Sequence, residues 1–268
     1  MNRIALVLSL ALLPVVPTVS AQVSPTRGAI STASAPFSRL AIGGGVGLMG
    51  INLQAATNVN RYINVRGTGN YFSYTVNNIK INGSNGANGV DVSGNVNFAE
   101  GGVSADLYPF PRHGFRLSPG VTFYNQNLIT ASGVLPAGNS ITLNSQKFYS
   151  DEASPLAVNA NLGLNTHKQA FSMTTGWGNM ISRKGGHWSF PVEIGAIFTG
   201  VPNLGMTLSG DACLTAADAA INGLTCGPAN TVVGDNLNLQ VAKYKSDLNP
   251  LQVYPVVSFG VGYGFRIY

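Results

Sequence analysis

Apolar residues alternate with small or polar ones over long stretches of this chain, most clearly at its C-terminal end. There Val253, Val257, Phe259, Val261, Tyr263, Phe265 and Ile267 share one face, while Ser258, Gly260, Gly262, Gly264 and Arg266 share the other. Period two held over that length predicts one long strand, apolar on a single side. The same period predicts strands at Leu40–Gly45, Leu48–Ala55, Ile63–Tyr71, Asp91–Tyr108, Phe115–Phe123, Phe171–Trp177 and Trp188–Thr199. A change of phase near Glu100-Gly101-Gly102 predicts a bulge.

The connections alternate in length. Counting back from the C-terminus they are long at 200–251, short at 179–186, long at 130–161, short at 110–114, long at 77–90 and short at 58–60. Bacterial single-chain barrels combine an even strand count with short periplasmic turns and long outer loops. The expected fold is therefore all-β, an eight-stranded antiparallel up-and-down transmembrane β-barrel with long extracellular loops. Aromatic placement agrees with two interfacial belts. Tyr108, Phe110, Phe115, Trp177, Trp188 and Phe265 fall at the short-turn end, and Tyr71, Phe98, Phe123, Phe198 and Tyr254 toward the other.

Residues 1–21 combine Arg3, an apolar run from Ile4 to Val16 and the small-residue site Val19-Ser20-Ala21, the pattern of a secretory signal peptide cleaved before Gln22. The run is shorter than the roughly 20 residues a membrane helix needs, and only helices or closed barrels cross lipid. Residues 22–39 read as a leader and 40–268 as an outer-membrane barrel domain, with its main extracellular loop at 200–251. The expected location is the outer membrane of a Gram-negative-type bacterium, with outer-membrane lipid as surroundings.

Only 9% of residues are charged, against about a quarter in soluble domains. The net charge of +5 comes from scattered residues without a basic run, which argues against a nucleic-acid partner. Cys213 and Cys226 are the only cysteines. In an exported chain they are expected to close a loop as a disulfide; two free thiols or a metal pair are the alternatives. No metal or cofactor is expected, since two cysteines without nearby ligands make a poor zinc site, and His113 and His167 lack partners at metal spacing.

The inward phase places Arg66, Glu100, Asp106, Arg116 and Glu193 in the lumen, which an eight-stranded barrel fills with side chains. Charges taken from water need partners, so a paired network that plugs the barrel is expected; a narrow polar path is the other reading. No enzymatic activity is expected. The alternative is a lipid-modifying hydrolase, similar to lipid A deacylases, in which His187, Ser189 and Glu193 share one strand phase. Thr215–Asn222 and Asp235–Leu248 are helix-like, with Asp235 as N-cap. They read as a lid over a monomeric barrel, or as a site for a surface partner or a small apolar solute.

The blocks Asp106–Phe110, Gly114–Gly120, Tyr124-Asn125, Gly176–Asn179 and Tyr254–Gly260 resemble a family of small bacterial outer-membrane barrels, broadly OmpA/OmpW-like and mostly without assigned activity. The resemblance covers about Leu40 to Phe265. It implies the barrel fold, a structural, surface-interaction or minor passive-transport role, and recognition of a C-terminal aromatic by the barrel-assembly machinery. Phe265 matches that aromatic, with Arg266-Ile267-Tyr268 as an extension.

Overall fold

The computed structural model describes residues 35–81, 90–111, 113–164, 169–182 and 186–267. The signal-peptide reading, most of the leader, His167 and Tyr268 lie outside them. Strands β1 (Arg39–Gly47), β2 (Gly50–Asn58), β3 (Ile63–Ile81), β4 (Val90–Leu107) and β5 (Arg116–Asn125) come first. Next are β6 (Leu128–Val134), β7 (Ser140–Leu143), β8 (Gln146–Ser150), β9 (Ala157–Gly163), β10 (Ala170–Trp177), β11 (Trp188–Ser189) and β12 (Val192–Phe198). The remainder is β13 (Asn203–Ser209), β14 (Asp211–Cys213), helix α1 (Ala216–Ala219), β15 (Cys226–Pro228), α2 (Ala229–Val232), α3 (Gly234–Leu248) and β16 (Val253–Arg266).

Eight strands close into an antiparallel ring. Consecutive strands β1 to β5 pair in order, β10 joins β5, β12 joins β10, and β16 closes the circle between β12 and β1. Strand β11 continues the line of β12 along β16. The expected irregularity is present, as a register shift between Gly101 and Gly102 where β4 pairs β5. Outside the ring, alternate residues such as Ile42, Leu53, Val103, Ile194, Val257 and Phe259 form an exposed apolar band. Water would penalise that surface and hydrocarbon covers it, which is the inside-out arrangement of a transmembrane barrel.

Strand β3 has 19 residues and β4 has 18, against the roughly 9–11 that cross a bilayer. Their far halves therefore stand clear of the membrane. Over Asp91–Asn97, β4 pairs with β6, and β6, β9 and β13 continue outward from β5, β10 and β12. The stretches 130–161 and 200–251, expected as loops, thus hold ordered strands as well as helices.

This upper sheet is covered by a cap with its own core. Leu135, Leu143, Phe148, Leu156, Ala212, Ala229, Val233 and Leu237 are buried together, and Val90, Met206 and Leu208 of the upper sheet pack against them. A second sheet, ordered β15-β14-β8-β7, joins the two long connections. Cys213 and Cys226 are disulfide-bonded across the β14–β15 pair. Their sulfurs lie near Asp151, but joined to each other they offer no thiolate pair. Asp235 is not the cap of α3: the N-cap position is Val233, without a side-chain bond, and Asp235 lies in the first turn, where a carboxylate suits the positive helix end.

Candidate functional site

The lumen is filled in three layers. At its middle, the Arg66 guanidinium of β3 meets Glu193 of β12 through Nη1–Oε2 at 2.7 Å and Nη2–Oε1 at 3.0 Å. The Arg66 Nε also donates to both Asp106 oxygens at 3.1 Å. Arg116 of β5 donates through Nη2 to Glu193 at 2.9 Å and through Nη1 to the Gly178 carbonyl at 2.5 Å. The Thr174 hydroxyl donates to Glu193 as well. All four ionic residues are buried, and the multiple charge-assisted bonds offset their removal from water.

Glu100 is placed differently from the expected ion-pair network. Among the described residues no guanidinium or ammonium forms an ion pair with it. It is reached instead through a chain of carboxamides. Arg66 Nη1 donates to Gln54 at 3.2 Å, Gln54 donates to Asn52, Asn52 donates to Asn70 at 2.5 Å, and Asn70 Nδ2 donates to Glu100 Oε1 at 2.5 Å. Each amide accepts from the Arg66 side and donates toward the carboxylate, so the bonds polarise one another in one direction.

Below this layer, at the short-turn end, Met180 and Ile181 fold into the barrel against Ala41 and Ala56. Glycines on the facing strands make the room. A Cβ at Gly43 would stand 2.8 Å from Met180 Cε, and one at Gly262 would stand 2.6 Å from Ser189 Oγ and 3.1 Å from Met180 Sδ. Above it, Met49, Phe98 and Ile197 are buried at the mouth. Phe98 packs its ring 6.2 Å from Phe72 and 6.3 Å, edge-on, from Tyr254. Phe98 and Tyr254, expected in the outer belt, therefore belong to the interior. Between mouth and ion-pair layer lies a cavity of about 60 Å³ lined by Asn52, Thr68, Asn70, Glu100, Ser104 and Thr122, room for a few waters.

Tyr108 also departs from its expected belt position. It shares the inward phase of Asp106, is 1% exposed, and its hydroxyl accepts from Asn64 Nδ2 at 3.4 Å. Phe110, Trp177 and Trp188 are exposed on the outer surface, and Phe265 is exposed to 37%. Phe115 packs 5.3 Å from Trp177, and Trp188 lies 5.1 Å from Tyr263. Of the hydrolase alternative, His187 Nδ1 lies 2.8 Å from the Gly264 carbonyl, Ser189 donates to the Met180 carbonyl at 3.4 Å, and Glu193 is engaged by the two arginines. The structure does not link these three side chains to one another.

Sequence reasoning missed the two apolar stoppers and the amide chain. Gly43 and Gly262 face each other across the β1–β16 pair, and such facing glycines leave space that something else must fill. Nothing local marked Met180 as the filler.

An eight-stranded transmembrane barrel with a filled lumen and a folded cap is the class that ring and site define. The chain is similar in structure to CarO of Acinetobacter baumannii, with a TM-score of 0.52 at 19% identity, over 86% of this chain and 98% of that one. It is similar also to CarO2 of that organism, with a TM-score of 0.53 at 15% identity, over 87% of this chain and 100% of the other. No protein-family model and no curated protein sequence matches it. At such identity the likeness is one of fold.

Proposed function

We propose that this chain is an outer-membrane protein whose barrel is a closed anchor for its extracellular cap, with a structural and surface-interaction role and no catalytic one. One observation carries the reading: the lumen is stopped at three levels, by Met180 and Ile181, by the Arg66–Glu193–Arg116 layer, and by Met49, Phe98 and Ile197. Passive transport of a small solute would need the middle layer to part, which strips buried charges of their partners. The outer-membrane location is supported by the exposed apolar band and by the CarO-like fold. A non-catalytic role is supported by the engagement of Glu193 with arginines rather than with His187.

Liposome swelling tests the reading. Vesicles carrying the purified protein should swell in glycine or arabinose no faster than protein-free vesicles, while a general porin control swells quickly. Swelling near the porin rate would overturn it.

A further inference from the structure

The lipid-facing phase of the strands changes chemistry as they leave the membrane. In the spanning part it carries Val65, Val103 and Val121; next come Tyr71, Phe123 and Tyr124, all strongly exposed. Above this aromatic ring the same face of the upper sheet carries two rows of small polar groups, bordered by the exposed Leu128 on the membrane side and Val134 on the far side. Thr75, Asn95, Thr130 and Asn161 stand in register across β3, β4, β6 and β9. A second row, Ser93, Ser132, Asn159 and Thr207, runs across β4, β6, β9 and β13. The rows border a cleft of about 410 Å³. Neither row contains a charge; Asp91 and its partner Lys80 lie one row further out. On the other face Val90, Met206 and Leu208 pack against the cap core.

The surface is also shaped. Asn95 Nδ2 donates to Thr75 Oγ1 at 2.6 Å. Asn161 lies over Gly205, where a Cβ would stand 2.6 Å from its Oδ1, so that glycine sets the position of the amide.

We propose that this face binds the neutral sugar portion of lipopolysaccharide in the surrounding leaflet. Carboxamides and hydroxyls both donate and accept, which is what sugar hydroxyls require and what phosphate or carboxylate ligands do not select. The face continues the lipid-exposed surface directly above its aromatic ring, in the layer that glycolipid sugars occupy. A ligand anchored in the same membrane is held there at high effective concentration, so weak individual bonds suffice. The inference rests on the outer-membrane reading and names the partner of that surface.

The test uses the full protein in detergent micelles, titrated with lipid-free core oligosaccharide released from lipopolysaccharide and followed by NMR of asparagine side-chain amides. Heat-modifiable gel mobility verifies the folded barrel in every sample. The expected result is saturable shifts at Asn95, Asn159 and Asn161 that persist in high salt. Binding should weaken about tenfold or more, a change of about 1.4 kcal/mol, in the double variant Asn95→Ala, Asn161→Ala and in Gly205→Val, which displaces the Asn161 side chain while leaving every residue named in the two rows unsubstituted. A folded barrel without such shifts, shifts unchanged in both variants, or broadening from self-association through this face would each overturn the proposal. Membrane fractionation is read separately: a barrel that fractionates with the outer membrane yet ignores the sugar sinks this inference alone.

Discussion

Arg66 and Glu193 lie 127 residues apart and meet across the lumen through two near-parallel bonds, Nη1–Oε2 at 2.7 Å and Nη2–Oε1 at 3.0 Å. The pair ties β3 to β12 on opposite parts of the ring, and Arg116 shares the same Oε2 from β5. Removing Glu193 leaves two buried guanidiniums short of a counter-charge, and breaking a buried pair in this way costs roughly 3–5 kcal/mol. Glu193→Ala should lower the unfolding free energy of the barrel by that order, seen as a lower urea midpoint of the heat-modifiable band. An unchanged midpoint would show that the ionic layer does not hold the barrel.

Met180 is wholly buried between Gly43 and Gly262. Truncation to Ala leaves a void in the lower lumen at a cost of roughly 2–5 kcal/mol. Met180→Ala should unfold at a lower temperature than the parent, and a rise or no change would place the side chain outside the barrel.

Ile194 pairs with Val257 on the outer surface, and both are exposed there. A cation at that level meets hydrocarbon, so Ile194→Arg should destabilise the barrel in lipid vesicles by roughly 2–4 kcal/mol. Tolerance of arginine there would reverse the assignment of faces.

The Cys213–Cys226 bond spans 13 residues of the cap. The double serine variant should cost about 3 kcal/mol in the cap, seen as faster amide exchange at Phe148 and Val233, while the heat-modification midpoint of the ring stays put. Equal loss in both parts would mean that cap and ring unfold together.

Asp218, half-buried in the single turn of α1, accepts from the Thr225 hydroxyl, and that bond, followed by one from Thr215, holds its carboxyl below the ordinary aspartate value. A lowered folded-state pKa contributes stability that is present above the unfolded value and lost as pH falls through the folded one. Carbon-detected NMR titration should find Asp218 protonating later on acidification than in the unfolded chain, and Thr225→Val should move it back up. No difference between the two proteins would discard this capping role.

The ring was legible because period two survives in every spanning strand: the faces of Val253–Arg266 and Val192–Phe198 read directly from alternation. Alternation failed where both faces carry rings. Tyr108, Phe98 and Tyr254 look like interface aromatics until the pairing of Asp106 with Asn64 and of Tyr254 with Ile197 places them inside. The cap was opaque for another reason. Its short strands Asp211–Cys213 and Gln146–Ser150 come from two separate connections and join into one sheet by pairing with each other, a non-local event that no window of sequence contains. The amide chain from Gln54 to Glu100 shares that property, since its members sit on three strands.

The closed lumen is the centre of the account, and planar-bilayer recording tests it most directly. The purified protein, inserted and verified as folded, should add no steady conductance above the bare membrane, and Arg116→Ala should either stay silent or open only fleetingly. A stable ohmic conductance from the unaltered protein would contradict it.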